Sequence, residues 1–266
     1  MELTPQGMAL DTAHQLTPHL KQLRLSGVLG TLEARNRQAI DGKWTYVEFL
    51  SRLLEDEVER RAQKQLALRL RRGSVNTNKS LESFNFDFNP VINRQQVLQL
   101  ASCDYIRQKR NVLICGPTGV GKSHLAHALA HEACRQGFSV LFVNTHKMLQ
   151  HLHGGRADDS LERRFQTYLR PDLLILDDFG LKPLRLPAPE DLYDVINERY
   201  EHGSIALTSN RAPGEWPELL GDPLLASAGL DRLAHRAEIL IITGISFRAQ
   251  GRQRLEQEVF IEPSPS

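Results

Sequence analysis

The chain has 266 residues, a formal net charge of +1 and 41% hydrophobic residues, a composition typical of a soluble globular protein with a substantial core. A net charge near zero argues against a protein that is basic throughout, although a basic face can exist within a balanced total. The three cysteines, Cys103, Cys115 and Cys134, have no disulfide-framework or zinc-type spacing, and no apolar run reaches transmembrane length. We therefore expect a cytoplasmic protein.

The first part of the chain, residues 17–72, is predicted to be helical. Gly42 and Gly73 are typical of helix ends. Thr45 and Glu48 have the spacing of a capping box, which predicts a helix start between them. Apolar residues then recur every three or four positions and predict one long amphipathic helix. This apolar stripe comprises Val47, Leu50, Leu54, Val58, Ala62, Leu66 and Leu70.

A basic stretch occupies the C-terminal part of this helix, and no acidic residue lies between Arg60 and Lys79. Its candidate DNA contacts are Arg60, Arg61, Lys64, Arg69, Arg71 and Arg72. Clustered cations without compensating acids can neutralise backbone phosphates, which indicates DNA binding. The same pattern also fits a solvated helix face or a site for a protein partner.

Two domains are predicted, with a boundary near Ser80. Residues 73–80 (GSVNTNKS) are polar without periodicity and read as a linker, so residues 1–80 form a small all-α domain and residues 81–266 a second domain. From residue 111 apolar runs alternate with helical segments, which predicts an α/β fold with a parallel five-stranded sheet flanked by helices. The predicted strands are NVLIC, SVLFV, LLILD, SIALTS and EILIIT, with room for two helices in residues 145–170.

A phosphate-binding loop is predicted directly after the first strand. The sequence GPTGVGKS matches the pattern GxxxxGK[ST] between an apolar strand and a helical segment. Glycines allow backbone N–H groups to converge on phosphate at a helix N-terminus. Lys122 is expected to reach the β- and γ-phosphates, and Ser123 to ligate Mg²⁺. The predicted nucleotide-binding residues are Gly116, Pro117, Thr118, Gly119, Val120, Gly121, Lys122, Ser123 and His124.

Polar side chains follow two further predicted strands. Asp177 ends the strand LLILD, where its carboxylate is expected to help hold Mg²⁺. Asp178 is placed to act as the general base for the attacking water, or to cap the following loop. Asn210 follows the strand SIALTS, where it is expected to position that water or to serve the turn that follows.

With these three elements in order, the chain resembles the AAA+ ATPases, and specifically the IstB-type transposition helper proteins that insertion sequences encode beside their transposase. The sister group, the bacterial replicative helicase loaders, shares much of this pattern. The resemblance covers most of the chain. Besides the motifs above, it is carried by residues 81–88 (LESFNFDF), 209–211 (SNR), 230–233 (LDRL) and 244–248 (GISFR).

The resemblance implies further roles. Asn210 resembles the sensor 1 residue, Arg232 the arginine finger that acts on the γ-phosphate of the neighbouring subunit, and Arg248 the sensor 2 arginine. ATP would then lie between protomers, and hydrolysis would require assembly. The sequence departs from the pattern at Asp178, where the wider clade often has glutamate, and at residues 245–248, which read ISFR where the family usually has Glu-Ser-Tyr-Arg.

Two other segments take an interpretation from the resemblance. Phe84, Phe86 and Phe88 alternate with polar residues and are predicted to share one face of an extended segment. The resemblance places this linker near the nucleotide base, while burial in an apolar crevice would explain the aromatics equally well. The two helices of residues 145–170, with Lys147 and Arg156, resemble those by which initiator-type AAA+ proteins line a DNA path.

The function implied is that of an ATP-dependent assembly factor. ATP, with Mg²⁺, would drive homo-oligomerisation on DNA, duplex rather than single-stranded, and the oligomer would present a target site to a cognate transposase. An alternative is a helicase loader that delivers a replicative helicase to single-stranded DNA. A third possibility is a metabolic P-loop phosphotransferase, for which Arg232 would be dispensable. No membrane partner is expected.

Overall fold

The computed structural model describes residues 15–220, 223–244, 246, 247 and 249. The chain divides into two compact units, Met1–Leu68 and Arg69–Ser266, here called the helical unit and the sheet unit. The division falls before the boundary predicted near Ser80. Its physical reason is local, because the main chain of residues 73–76 is hydrogen-bonded to elements of the sheet unit.

The helical unit is built from helical residues 15–22, α1 (Ser26–Gly42) and most of α2 (Tyr46–Arg72). The predicted capping box at the start of α2 is confirmed: Thr45 N donates to Glu48 Oε2 at 2.7 Å, and Glu48 N donates to Thr45 Oγ1 at 3.2 Å. These two bonds satisfy main-chain donors that have no partner within the helix. The helix therefore begins where the sequence indicated.

The apolar stripe predicted on α2 is not the face that the helical unit buries. Leu53 is 4% exposed and Phe49 packs against the same small core, with Glu57 also buried one turn further on. The stripe residues of this unit that lie exposed include Val47, Leu50, Leu54 and Val58. The buried face in this unit thus follows the spacing 49, 53 and 57 and differs from the apolar stripe read from the sequence.

A close helix crossing explains why the Glu57 face is buried. The Glu57 carboxylate accepts a hydrogen bond of 2.5 Å from Gly27 N at the start of α1, and Arg61 Nε donates to its other oxygen at 2.6 Å. A Cβ added to Gly27 would lie 2.6 Å from Glu57 Cα. The carboxylate therefore caps the positive end of α1, where negative charge is stabilising, and the two helices meet at the glycine.

The sheet unit contains one five-stranded parallel sheet with the order β2-β3-β4-β1-β5. The predicted strands are all confirmed. Their bounds are β1 Val112–Cys115, β2 Val140–Asn144, β3 Leu173–Phe179, β4 Ser204–Ser209 and β5 Glu238–Ile241. Because the strands are parallel, the segments after β1, β3 and β4 meet at one edge of the sheet.

Helices cover both faces of the sheet. Leu113, Leu174 and Leu207 from the strands pack in one core with Met148 and Leu192. The remaining helices, in chain order, are α3 Arg94–Ala101, α4 Asp104–Arg107, α5 Lys122–Arg135, α6 Thr145–Gly155, α7 Leu161–Leu169, α8 Ala188–Arg199, α9 Pro217–Leu220 and α10 Pro223–Ala234. The two helices expected between β2 and β3 are α6 and α7. Over the described ranges, no helix is long and apolar enough to cross a bilayer.

The segment after α2 runs along β2, which is an outer strand of the sheet. Phe142 N, on β2, donates to Gly73 O at 2.8 Å. Asn76 N donates to His127 Nδ1 on α5 at 3.2 Å, and the His127 ring stacks on Phe142 with ring centroids 3.6 Å apart. Residues 73–76 are therefore attached to both the outer strand and the helix that follows the predicted phosphate-binding loop.

Candidate nucleotide site

The predicted phosphate-binding loop lies between β1 and α5, and α5 begins at Lys122. Gly121 precedes the helix with a φ of +103°, a conformation that side chains with a Cβ rarely adopt. A Cβ added to Gly116 would lie 1.9 Å from Ile242 O, so the chain can pass there only as glycine. The glycines thus serve the curvature that brings N–H groups together at a helix N-terminus.

Lys122 is 9% exposed, and its Nζ donates to Pro117 O across the loop at 2.7 Å. The ammonium group therefore lies against the same stretch of main chain that curls toward the helix N-terminus. Val120 is buried and anchors the loop, whereas Pro117 and Thr118 form its exposed crest. This arrangement provides convergent N–H groups and one positive charge, which together suit a polyphosphate.

Asp177 joins the loop to the neighbouring strands. Ser123 Oγ donates to Asp177 Oδ1 at 2.8 Å, and Thr208 Oγ1 on β4 donates to the same oxygen at 2.5 Å. Thr145 Oγ1 donates to the Asp177 main-chain oxygen at 3.0 Å. The predicted metal pair, Ser123 and Asp177, is thus brought together, with the carboxylate oriented by a hydroxyl that the sequence did not single out for this role.

The two adjacent acids lie in a β-bulge of β3. Leu176 pairs with Leu207 and Phe179 with Ser209, so two residues of β3 oppose the single residue Thr208. Asp178, inside the bulge, has a φ of +57° and an exposed side chain. Its main chain is held there, because Asp178 N donates to Thr208 Oγ1 at 3.1 Å. The carboxylates of Asp177 and Asp178 have different hydrogen-bond partners, which is consistent with separate roles.

Asn144 links the end of β2 to Asp178. Asn144 Nδ2 donates to Asp178 Oδ2 at 3.2 Å, while Asn144 Oδ1 accepts from His146 N and Lys147 N as the N-cap of α6. The sequence analysis did not identify Asn144. The available signal was its position as a polar residue that both ends an apolar strand and precedes a helix.

Asn210 follows β4 at the same edge of the sheet and is exposed. The main chain beside it is fixed, because Gly116 N donates to Ser209 O at 3.0 Å and Ser209 Oγ donates to Phe179 O at 3.0 Å. Arg211 N donates in turn to Ser209 Oγ. Asn210 therefore stands on a rigid segment beside the loop, where the role of a water-positioning residue stays a prediction.

The segment that carries the three phenylalanines covers the loop, although it is not extended as predicted. Residues 81–90 form successive turns, in which Phe84 N donates to Leu81 O and Asn89 N donates to Phe86 O. The aromatic side chains are nevertheless half-buried, while Ser83, Asn85 and Asp87 are exposed. Turns repeated along the segment therefore produce the alternation that was predicted from an extended segment.

Phe84 lies directly against the loop. A Cβ on Gly121 would be 3.0 Å from its ring, and the ring lies edge-on to His124 with centroids 5.1 Å apart. His124 Nε2 is 3.2 Å from both Ser80 O and Ser83 Oγ, and burial lowers the pKa of His124. The side chain of His124, predicted to bind nucleotide, thus faces the linker.

The resemblance assigns roles to two arginines, Arg232 and Arg248, of which the structure describes Arg232. Arg248 lies outside the described residues, although Phe247 N donates to Gly119 O at 3.0 Å and Phe88 packs edge-on against Phe247. Arg232, on α10, donates to Ala228 O and lies over the Tyr193 ring. Its helix leads into the beginning of β5, at the sheet edge opposite the loop.

The candidate DNA contacts differ in how far their charges are engaged. In the helical unit, Arg60 Nε donates to Ser26 Oγ and Arg61 is paired with Glu57, whereas Lys64 is exposed. In the sheet unit, Arg71 and Arg72 are exposed and Arg69 is half-buried.

The two candidates on α6 and after it also differ. Lys147 is exposed in the first turn of α6. Arg156 NH2 donates to the buried Asp191 carboxylate at 2.6 Å. Since Arg156 neutralises a buried acid, its guanidinium is engaged within the fold and not with a phosphate.

Comparison with known proteins identifies the family. The profile of the IstB-like ATP binding proteins matches residues 18–255. A Mycobacterium tuberculosis protein, whose name gives it provisionally as an ATP-binding protein of an insertion sequence, is 39% identical over 88% of this chain and 93% of its own length. The corresponding protein of the insertion sequence IS21 from Pseudomonas aeruginosa is 35% identical, with 91% of each chain covered.

Solved structures share the fold. A replication initiator DnaA bound to AMPPCP and single-stranded DNA has a TM-score of 0.53 and 21% identity, over 71% of this chain and 58% of the other. DnaI has a TM-score of 0.54 and 20% identity, over 62% of this chain and 90% of the other. These likenesses confirm the predicted AAA+ arrangement of a parallel five-stranded sheet with flanking helices. The family profile and the relatives show that the chain belongs to the IstB-like ATP binding proteins of insertion sequences.

Proposed function

We propose that the protein hydrolyses ATP and uses the nucleotide to assemble on DNA and assist a transposase. The main support for hydrolysis is that side chains from the ends of three strands are hydrogen-bonded to one another. Asp177 is bonded to the loop through Ser123 and to β4 through Thr208, and Asp178 beside it is held by Asn144. A site for nucleotide binding alone would not need this second, separately oriented carboxylate.

Each residue of the site has a defined task in the proposal. Lys122 exchanges its hydrogen bond to Pro117 O for the β- and γ-phosphate oxygens. Asp178 accepts a proton from the attacking water, and Asn210 positions that water from the end of β4. Thr208 holds the Asp177 carboxylate in place so that it does not reorient during the reaction.

The residues also suit a magnesium ion. The Ser123 hydroxyl and the Asp177 carboxylate provide oxygen ligands 2.8 Å apart beside the loop, and Mg²⁺ prefers oxygen ligands of this kind, few in number and completed by water and phosphate. Ser123 would ligate the ion directly and Asp177 would hold it through its water shell. When bound, the ion would neutralise charge that develops on the phosphate oxygens.

The association with DNA and with other copies rests on the family and on charge. The relatives are proteins of insertion sequences, and the exposed cations Lys64, Arg71, Arg72 and Lys147 supply candidate contacts to duplex DNA. Arg232, at the opposite edge of the sheet from the loop, is proposed to act on ATP bound by a neighbouring copy. Assembly on DNA would then bring each site to completion, and the assembled form would present target DNA to the transposase.

The test measures hydrolysis and assembly together. Phosphate release and light-scattering mass are recorded for the wild type, Lys122→Ala, Asp177→Asn and Arg232→Ala, with duplex DNA, with single-stranded DNA and without DNA. We expect large complexes that need both nucleotide and duplex, loss of assembly in Lys122→Ala, and ATP binding without hydrolysis in Asp177→Asn. For Arg232→Ala we expect nucleotide affinity to be retained and the hydrolysis rate to fall by about 10³-fold or more.

Three results would contradict parts of the proposal. Wild-type protein that binds ATP without releasing phosphate under any condition would remove the hydrolytic activity. Unchanged hydrolysis by Arg232→Ala would remove this arginine from the site. Complexes that form only on single-stranded DNA would contradict the preference for duplex and favour delivery of a helicase instead.

A further inference from the structure

A cavity of about 200 Å³ lies in the sheet unit at the edge opposite the phosphate-binding loop. Its walls come from the segments that lead into three strands: Lys109 and Arg110 precede β1, Glu201 precedes β4 and Arg236 precedes β5. The cavity is smaller than a site for a drug-sized ligand, for which about 300–1,000 Å³ is usual. A phosphoryl group with a few waters would fill it.

The charge of the lining is strongly positive. Glu201 is its single acidic residue. The basic residues of the lining are Lys109, Arg110, Arg199, Arg232, His235 and Arg236. Clustered guanidinium and ammonium groups in a concave site attract anions, and arginine in particular matches the geometry of phosphate oxygens.

Arg199 contributes a buried positive charge to this lining. Its side chain is 1% exposed, and its terminal nitrogens donate to main-chain oxygens, among them Tyr168 O and Ser204 O at 2.8 Å. Among the described residues it has no carboxylate at ion-pair distance, and its Nε is buried without a hydrogen-bond partner. Burial accordingly lowers the pKa of Arg199 to about 10. An anion in the cavity would offset a buried cation that main-chain oxygens solvate only in part.

Two of the other cations of the lining already make contacts within the fold, and two are available for a ligand. Arg110 is paired with Glu238 on β5, and Arg232 donates to Ala228 O. Lys109 and Arg236, by contrast, are exposed and make no ion pair within the described part of the chain. These two side chains therefore lie at the mouth of the cavity, beside Arg232. Neither charge is paired with a carboxylate of the described residues.

The position of the cavity excludes the nucleotide of the same chain. Asn111 and Gly116 are separated by the four residues of β1, which at roughly 3.3 Å per residue places the two edges about 16 Å apart. The distance from the loop to Lys109 and Arg236 is therefore too great for either side chain to reach a phosphate held there.

We propose that this cavity binds a phosphoryl group and that Lys109 and Arg236 act with Arg232 as its ligands. The phosphoryl group is supplied either by ATP bound to a neighbouring copy or by a free phosphate compound. The first source rests on the proposed function, since it makes the cavity part of the neighbour's hydrolytic site, and the second does not.

The first experiment measures phosphate binding by a variant whose phosphate-binding loop lacks its lysine. Full-length Lys122→Ala is titrated calorimetrically with tripolyphosphate, alone and combined with Lys109→Ala and Arg236→Ala. We expect affinity to fall by about 10-fold or more when both cavity cations are removed, because charge-assisted hydrogen bonds to phosphate are strong. Arg163→Ala, which removes one exposed arginine from α7, is the matched control and should leave affinity unchanged. Equal affinity in all variants would overturn the proposal.

The second experiment identifies the source. Lys122→Ala protein, which keeps its cavity, is mixed at increasing ratio with Lys109→Ala/Arg236→Ala protein, which keeps its loop. A rise in phosphate release per intact loop would show that the cavity of one copy serves ATP on another. Binding lost in the titration without any rise on mixing would assign the cavity to a free phosphate compound. If the wild type does not hydrolyse ATP, the proposed function fails while the titration still decides whether the cavity is a phosphoryl site.

Discussion

Asn144 Nδ2 donates a hydrogen bond of 3.2 Å to Asp178 Oδ2, while the same amide's oxygen caps α6. The first bond holds the proposed base, and the second holds the helix, so Asn144→Ser separates the two. Serine retains an N-cap acceptor but cannot reach the carboxylate as a donor. A hydrogen bond to a charged group contributes about 1.5–3 kcal/mol. We therefore expect kcat for ATP to fall by about 10-fold or more, with nucleotide affinity unchanged.

Steady-state phosphate release and equilibrium nucleotide binding would check this expectation. Asn144→Asp provides a second variant, since it keeps the cap but places a like charge against Asp178, and kcat should fall further. Wild-type kcat in Asn144→Ser would mean that Asp178 is oriented by other groups or is not the base.

Gly121 must remain a glycine because of both its conformation and its neighbour. Its φ is +103°, and an added Cβ would lie 3.0 Å from the Phe84 ring. For a residue with a Cβ, such a backbone conformation costs on the order of 1–3 kcal/mol. We expect Gly121→Ala to lower the free energy of unfolding by this amount and to weaken ATP binding, because the loop N–H groups would shift.

Gly214 offers a matched control in the same unit. An added Cβ there meets no atom within 4 Å, and its φ is not in the left-handed region. Denaturant unfolding of Gly214→Ala should show a change of at most about 1 kcal/mol, with ATP affinity retained. Equal effects of the two substitutions would contradict the argument from local geometry.

The basic stretch of α2 should divide into engaged and available cations. Removing Lys64, Arg71 and Arg72 together should reduce the salt dependence of duplex binding by up to about 2.7 in the slope of log K against log salt concentration, at roughly 0.9 for each phosphate contact. Arg60→Ala with Arg61→Ala should change the slope less, because these side chains are bonded to Ser26 and Glu57. The slopes come from binding isotherms at several salt concentrations. If the pair has the larger effect, the DNA contact lies nearer the helical unit's core.

His127 makes the sheet unit sensitive to mild acid. Burial, with a smaller contribution from nearby Lys79, lowers the pKa of His127 from its ordinary value of 6.5 to about 4, although Asp177 opposes the shift. Below pH 6.5 the unfolded chain therefore binds a proton at His127, whereas the folded chain binds it only as the pH approaches 4. Stability is fully present above pH 6.5 and falls as the pH drops toward 4, by about 1.4 kcal/mol per pH unit.

Urea unfolding followed by the fluorescence of the buried Trp216 at pH 7.5, 6 and 5 would measure this loss. Glutamine cannot take up the proton, so His127→Gln should be less stable at pH 7.5 because the stacking on Phe142 is lost, yet should show a flatter dependence on pH. An equally steep dependence in the variant would assign the acid sensitivity to other groups.

The sheet and the phosphate-binding loop could be predicted because their signals are local. Five apolar runs and one loop motif each lie within a few residues, and all five strands are confirmed. The buried face of α2 could not be predicted in this way. Its stripe of Val47, Leu50, Leu54 and Val58 has correct helical spacing, but the choice of face depends on Glu57 meeting Gly27, a partner 30 residues away. Periodicity identifies a stripe without showing what covers it.

Within the site, the sequence was informative about residue types and less so about their geometry. Asp177 and Ser123 meet as expected. The bulge at Asp177 and Asp178 depends on Thr208, on a different strand, and the pairing of Arg156 with Asp191 joins residues far apart in the chain. The sequence does not show that Asp191 lies on the buried face of α8. Its pairing with Arg156 can therefore be recognised only once the fold is known.

The hydrogen bond from Phe142 N to Gly73 O has a practical consequence for how the protein can be cut. β2 is an outer strand, and unpaired N–H and C=O groups on such a strand invite pairing with other molecules. A fragment that starts at the predicted boundary, after residue 80, would lose this cover and expose the strand to aggregation. A fragment that starts at Arg69 keeps this hydrogen bond. The residues predicted to be a linker therefore also protect the sheet from self-association.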